Sequence, residues 1–255
     1  MKVNVGYCIY LPPNYEQIAS QRFPVIYYLH GGGGDELKVL PEALHLHQQI
    51  LDEVLPPFIM VMPNGGKGSY FADSVDGKVM SETTIIRELI PHVDSTFRTI
   101  AERRGRCIQG FSMGALGATK LACKYPELFC SLSAYAGGMK RLGAKFREGK
   151  IAAGGGYSQK YLGDEVANWD ANDSFALVNK HVDRIKGRLA IKLMCGTADI
   201  DHLTATRDFH QELNKLGIEH SYTEIPEMGH TPDTMRKLYA STWLIQHVEA
   251  MKAAR

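Results

Sequence analysis

A serine flanked by glycines is the residue in this sequence best suited to covalent chemistry. Ser112 lies in the G-x-S-x-G segment GFSMG at residues 110–114, which follows an apolar run and precedes an Ala- and Leu-rich stretch. A strand, a sharp turn and a helix form the context in which such a segment makes a nucleophile elbow, because glycines let the strand and helix approach closely. Ser112 is therefore the candidate nucleophile.

An activated serine needs a base within hydrogen-bond reach and a carboxylate that fixes the base's tautomer. Asp199 follows an apolar run that ends at Cys195, and His230 directly precedes the last helical stretch. Both follow Ser112 in the order acid, then base, that hydrolases use. Asp201 lies in the same loop as Asp199 and stays open as an alternative acid. We interpret His202, close behind the acid, as a solvated or core-edge histidine.

Acyl transfer also requires hydrogen-bond donors for the tetrahedral oxyanion. The Met113 amide can supply one donor, since it follows the nucleophile at the start of a helix. The second is expected from the four-glycine loop after His30, with Gly32 as the chosen donor and Gly31 and Gly33 as alternatives. His30 is expected to brace this loop, and His30, Gly31 and Gly33 are also candidate substrate contacts. Neither the dinucleotide-binding pattern G-x-G-x-x-G nor the P-loop pattern G-x-x-x-x-G-K-[S/T] is present in this loop, so phosphate binding is not expected there.

The elements that must position these groups alternate between apolar runs and segments of helical periodicity. Strands are predicted at residues 3–11, 23–29, 58–62, 106–111, 131–136, 189–195 and 221–225, and helices at 41–55, 81–97, 115–124, 204–216 and 232–253. Strands separated by helices imply a mostly parallel central sheet flanked by helices, and therefore an α/β fold. Ligands of such sheets bind at the carboxyl ends of the strands, where the candidate loops all fall.

Residues 138–188 break this pattern and predict a lid-like insertion, because irregular stretches of that length usually have a binding role. Trp169 in the insertion and Asn64 in the loop after the third strand are further candidate substrate contacts.

Composition limits the remaining classes of function. With 255 residues, 44% of them hydrophobic, the chain is expected to form a single domain over residues 1–255. The net charge of +1 gives no reason to expect nucleic acid or membrane partners. The amino-terminal residues lack the apolar core of a signal peptide, which favours a cytoplasmic location. The segments around His45 and Asp199 lack a third convergent ligand, so neither a metal nor a cofactor is expected. The oligomeric state, a dimer included, stays open.

The chain resembles the esterase D family of α/β-hydrolases, which includes feruloyl, acetyl-xylan and tributyrin esterases, S-formylglutathione hydrolases and mycolyltransferases. The segments that carry the resemblance are YLPP at 10–13, YYLHGG at 27–32, VMPNG at 61–65, ELIPHVD at 88–94, GFSMG at 110–114, YPELF at 125–129, CGTAD at 195–199 and GH at 229–230. The resemblance implies an α/β-hydrolase fold with Ser112 as nucleophile, Asp199 as acid, His230 as base, and Gly32 and Met113 as oxyanion donors.

The resemblance also implies an activity: a serine carboxylesterase that cleaves small or aromatic acyl esters of a small molecule or oligosaccharide. Feruloyl or acetyl groups of plant polysaccharide fragments are the leading substrates. S-formylglutathione hydrolase or another thioesterase is the alternative within catalysis. From another class, an acyltransferase or a non-catalytic binder with the same fold stays open.

Overall fold

The structure, a computed structural model, describes residues 4–17, 19–137, 139, 141–149 and 157–254. Its strands are β1 (Tyr7–Tyr10), β2 (Val25–Leu29), β3 (Ile59–Pro63), β4 (Arg106–Phe111), β5 (Ser131–Tyr135), β6 (Ala190–Gly196) and β7 (Ser221–Ile225). They form one sheet in the order β1-β3-β2-β4-β5-β6-β7. Only β1 is antiparallel to its neighbour, so β2 to β7 all end at the same edge of the sheet.

Helices connect the strands. They are α1 (Leu40–Leu51), α2 (Ser81–Thr83), α3 (Ile90–Thr96), α4 (Met113–Lys124), α5 (Leu142–Arg147), α6 (Tyr157–Leu162), α7 (Val166–Asp170), α8 (Ser174–Lys180), α9 (Val182–Ile185), α10 (Ile200–Lys215) and α11 (Pro232–Ala253). A π-helical segment (Thr84–Leu89) joins α2 to α3, so the helix predicted at 81–97 is continuous but locally widened by i→i+5 hydrogen bonds.

The core lies in two layers, one on each face of the sheet. In β2, Ile26 and Tyr28 pack with α1 and the end of α11, whereas Tyr27 and Leu29 pack with α3, α4, α8 and α10. Side chains alternate faces along a strand, so a strand buried on both sides reads as a continuous apolar run. This explains why the central strands were predictable from sequence, and the parallel α/β architecture expected above is confirmed.

The described part of the insertion at 138–188 is more regular and more closely packed than the sequence predicted. Its described residues form the short helices α5 to α9 rather than irregular chain. α8 packs against α4, and the Phe175 ring contacts Phe209 of α10 edge-on at 5.2 Å, so this part belongs to the core layer. Helices of four to seven residues span fewer than two turns, too few for a periodic pattern to be visible in the sequence.

In the part of the chain that the structure describes, no helix is both long and apolar enough to cross a bilayer.

Candidate active site

The GFSMG segment forms a sharp turn between β4 and α4. Ser112 occupies this turn with φ 56° and ψ −120°, a backbone conformation that residues with side chains rarely adopt. A Cβ atom on Gly110 would collide with the backbone of Gly114, and one on Gly114 would collide with the carbonyl group of Leu29. The two glycines therefore let α4 pack close to β2 and β4, which holds Ser112 in its strained conformation.

Ser112, His230 and Asp199 form a continuous hydrogen-bonded chain. Ser112 Oγ lies 3.0 Å from His230 Nε2, and His230 Nδ1 lies 2.6 Å from Asp199 Oδ2. An ionised carboxylate can only accept, so His230 donates through Nδ1 and its Nε2 is left to accept the serine proton. Asp199 is buried, whereas the His230 side chain is 36% exposed. Asp201, the alternative acid, lies exposed in the first turn of α10, and the imidazole bonds to Asp199 instead.

The loops that carry Asp199 and His230 are fastened to each other. The amides of Thr197 and Ala198 donate to the carbonyl groups of Ile225 (2.9 Å) and Met228 (3.0 Å). In return, the Glu227 amide donates to Thr197 Oγ1 at 2.8 Å. A Cβ atom at position 196 would collide with the Met228 backbone, so this close approach requires glycine there. The separation between the acid and the imidazole is therefore set by these two loops.

The four-glycine loop presents only part of its backbone to the cleft. The Gly33 amide donates to the Lys67 carbonyl at 2.7 Å, and the Gly34 amide donates to the Gly31 carbonyl at 3.1 Å. These bonds occupy two of the four glycine amides, and the two that remain are those of Gly31 and Gly32. Gly31 packs against the Phe111 side chain, whereas Gly32 lines the same cleft as Ser112 and Met113.

His30 braces this loop from below. Its side chain is fully buried, with Nδ1 2.9 Å from the Gly31 carbonyl and Nε2 3.0 Å from the Gly65 amide. The amide can only donate and the carbonyl can only accept, so Nδ1 carries the proton and the imidazole is neutral. Burial lowers the pKa of His30, which keeps it neutral. His30 therefore holds two loops together and offers no surface to a substrate.

A cleft of about 360 Å³ opens beside Ser112. Its apolar wall includes Tyr70, Met113 and Leu116, and Lys67 and His202 lie on its polar side. A larger groove of about 830 Å³ runs between the start of β6 and the end of α11, but it contains none of the residues discussed here. The smaller cleft is therefore the candidate substrate site.

Two residues expected to contact substrate lie elsewhere. Trp169 has no exposed surface; its ring stacks on Phe146 at 5.0 Å and its Nε1 donates to the Gly163 carbonyl at 2.9 Å. That expectation is corrected, because an aromatic residue between short helices serves as their core. Asn64 lines a separate groove, where its side chain bonds to Glu36.

His202 reaches the site, although its sequence position suggested a solvated or core-edge histidine. Its Nδ1 lies 2.7 Å from Asp199 Oδ1, and its ring stacks on that of His230 at 4.2 Å. The candidate ligand atoms of Asp199, His202 and His230 all lie within 4.8 Å of one another, and among the described residues this is the cluster that could hold a metal ion. The expectation that residues 199–202 lack a third convergent ligand is wrong, because His230 joins them from another loop.

The signal that could have found His202 is its spacing. Residues three apart share one face of a helix, so His202 follows Asp199 by one turn if the helix begins directly after the acid. The sequence analysis began that helix at residue 204, whereas α10 begins at Ile200.

Comparisons with known proteins identify the family to which the chain belongs. Esterase Rv1288 of Mycobacterium tuberculosis is 31% identical over 258 residues, covering 91% of this chain and 54% of that protein. The chain thus spans about half the length of the curated relatives it matches.

Solved structures share the fold. A ferulic acid esterase superposes with a TM-score of 0.78 at 20% identity, covering 95% of this chain and 91% of the other. An S-formylglutathione hydrolase from Agrobacterium tumefaciens gives a TM-score of 0.77 at 22% identity, covering 97% and 90%. The Esterase family model, described as "Putative esterase", matches residues 1–231. The chain belongs to this esterase family and has the α/β-hydrolase fold.

Proposed function

We propose that the protein is a serine carboxylesterase that works through an acyl-enzyme. The observation that carries the proposal is the hydrogen-bonded chain from Ser112 through His230 to the buried Asp199. In the proposed mechanism, His230 Nε2 takes the serine proton as Oγ attacks the ester carbonyl. The same nitrogen then protonates the departing alcohol and, in the second half-reaction, activates water. Asp199 accepts a hydrogen bond from the Nδ1–H group of His230 and stabilises the imidazolium that forms.

We assign the oxyanion donors to the amides of Gly32 and Met113. Both residues line the cleft beside Ser112, and Met113 begins α4, where amides have no partner within the helix. The engaged amides of Gly33 and Gly34 and the packing of Gly31 against Phe111 support Gly32. Loss of one such donor typically costs about 3 kcal/mol of transition-state stabilisation.

The cleft favours acyl groups of small to aromatic size. Its volume lies near the lower end of the range for small-molecule sites, which is about 300 to 1,000 Å³. Tyr70, Met113 and Leu116 offer an apolar wall for an acetyl or feruloyl group. The similarity to a ferulic acid esterase adds support for esters of the kind that decorate plant polysaccharides. A panel of methyl ferulate, acetylated xylo-oligosaccharide and tributyrin tests this, and we expect the first two to be preferred.

A thioesterase is the second candidate, favoured by one observation. Lys67 is exposed at the cleft, where its cation could meet the carboxylates of a glutathione thioester. Comparing S-formylglutathione with methyl ferulate at equal concentration separates the two activities. Product analysis with added alcohols tests acyl transfer, which would begin from the same acyl-enzyme.

The role of Ser112 is tested by its replacement. We expect Ser112→Ala to lower kcat/KM for p-nitrophenyl acetate by about a thousandfold or more, as for loss of a triad member. Ser95→Ala, at an exposed serine outside the cleft, is the matched control and should keep wild-type turnover. A fluorophosphonate should add mass to the wild type and not to Ser112→Ala. Near wild-type turnover in Ser112→Ala would show the proposal to be wrong.

The acid is tested by a matched pair in one loop. Asp199→Asn should lower kcat by about a thousandfold, because the amide cannot hold the required tautomer of His230. Asp201→Asn removes the same charge from the first turn of α10 and should stay within about twofold of wild type. Equal losses in the two variants would contradict the assignment of Asp199.

A further inference from the structure

The imidazole of His230 contacts two rings. The Phe111 ring lies with its centroid 4.6 Å away and its plane tilted by 36°. His202 lies 4.2 Å away with its plane at 20°, a stacked arrangement. The His202 side chain is only 32% exposed, and it lines the cleft together with Ser112. One of the two rings that contact the proposed base is therefore the imidazole of His202, which can also form hydrogen bonds.

Asp199 is shared by two imidazoles. Oδ2 receives His230 Nδ1 at 2.6 Å, and Oδ1 receives His202 Nδ1 at 2.7 Å. Among the described residues, no other side chain or backbone amide donates to either oxygen, and Asp199 is only 7% exposed. A buried ionised oxygen without a donor is strongly unfavourable. His202 thus supplies the second hydrogen bond that a buried carboxylate requires.

The two bonds also fix the rotation of the carboxylate. An ionised carboxylate only accepts, so both imidazoles donate to it through Nδ1. With Oδ1 bound to His202, the carboxylate plane is set, and Oδ2 is directed at His230. Loss of the His202 bond would free the carboxylate to rotate toward water or toward the amides at the start of α10, away from the base.

We propose that His202 is a positioning residue that holds Asp199 and the ring of His230 in their reactive arrangement. The inference rests on the proposed function, because positioning is measured through the reaction of Ser112. His202 acts through Asp199 and His230, so loss of its side chain should lower kcat and leave KM nearly unchanged.

Two substitutions separate the hydrogen bond from the ring. His202→Phe keeps a stacked ring and removes the donor, and we expect kcat to fall by about tenfold to a hundredfold, as for a hydrogen bond to a charged group. His202→Asn keeps an N–H near the position of Nδ1 and removes the ring, and kcat should stay within about fivefold of wild type. His181→Phe, at a histidine outside the cleft, is the control. A kcat within twofold of wild type in His202→Phe, a loss expressed wholly in KM, or an equal loss in both variants would overturn the inference.

A spectroscopic measurement on the wild type does not depend on how the variants fold. Proton NMR should show two downfield imidazole N–H signals that depend on Asp199, one from each bond to it; Asp199→Asn should remove both and leave those of the buried His30 and His247. A single such signal would overturn the inference even if both His202 variants were insoluble. If the wild type hydrolysed no ester, the proposed function would fail, and the NMR signals would still report the two bonds.

Discussion

A buried histidine far from the cleft should control how stability depends on pH. His247 of α11 is fully buried; its Nδ1 lies 2.8 Å from Ser131 Oγ and its Nε2 lies 2.9 Å from Gln109 Oε1. Since the Gln109 oxygen only accepts, Nε2 carries the proton, and Nδ1 accepts from the serine hydroxyl. The neutral imidazole therefore satisfies both partners, and a second proton would remove the bond from Ser131.

Burial lowers the pKa of His247 from 6.5 to about 3. The unfolded chain therefore takes up a proton as the pH falls below 6.5, and the folded chain does not until about pH 3. Stability is thus lost in this window as the pH falls, by about 1.4 kcal/mol per pH unit. Between pH 7 and pH 5 the loss from His247 alone is about 2 kcal/mol.

Urea unfolding of the wild type and of His247→Gln at pH 7, 6 and 5 tests this value. Glutamine supplies a donor and an acceptor and does not titrate. The contributions of all other titrating groups therefore cancel when the unfolding free energy of the variant is subtracted from that of the wild type at each pH. The wild type should lose about 2 kcal/mol more than the variant between pH 7 and pH 5. His92→Gln, at an exposed histidine, should keep the wild-type slope. Parallel curves for wild type and His247→Gln would refute the reasoning.

Two further predictions concern Glu42 and Gly196. Burial raises the pKa of Glu42 to about 7, with Arg236 opposing the shift, so the carboxylate destabilises the fold as the pH rises above 4.5. Glu42→Gln should therefore add about 3 kcal/mol to the unfolding free energy at pH 8 and almost nothing at pH 4, both measured in urea. Gly196→Ala should separate the loops that carry Asp199 and His230 at Met228 and lower kcat at least tenfold, whereas Gly229→Ala, where a Cβ has room, should not. Unchanged kcat in Gly196→Ala would show that the loops tolerate the shift.

The sequence predicted those parts of the fold that depend on local constraints. The central strands are buried on both faces and therefore read as continuous apolar runs, and the turn at Ser112 needs glycine at positions 110 and 114 for steric reasons alone. The surroundings of a residue, where they come from distant parts of the chain, were not predictable in the same way. Nothing in the residues around Trp169 shows that short helices enclose it, and nothing around Asn64 shows that it faces another groove.

The register of the four-glycine loop shows the same limit. Four identical residues cannot reveal which amide faces the cleft, so the sequence left Gly31, Gly32 and Gly33 as alternatives. The choice depends on a partner more than thirty residues away, because the Lys67 carbonyl occupies the Gly33 amide. Long-range backbone contacts of this kind have no signature in local composition.

The first turn of α10 explains why the contact of Asp199 with His230 was predictable from the sequence and its contact with His202 was not. Asp199 occupies the N-cap position, where an aspartate usually accepts from the amides of the first turn and marks a helix start, a bond worth about 1 kcal/mol. Here the carboxylate makes no cap bond, because both of its oxygens bind imidazoles. The helix therefore lacks a stabilising cap bond, and the carboxylate binds the two imidazoles instead. His202, one turn further along α10, restores the missing donor, which links the unusual cap directly to the geometry of the proposed base.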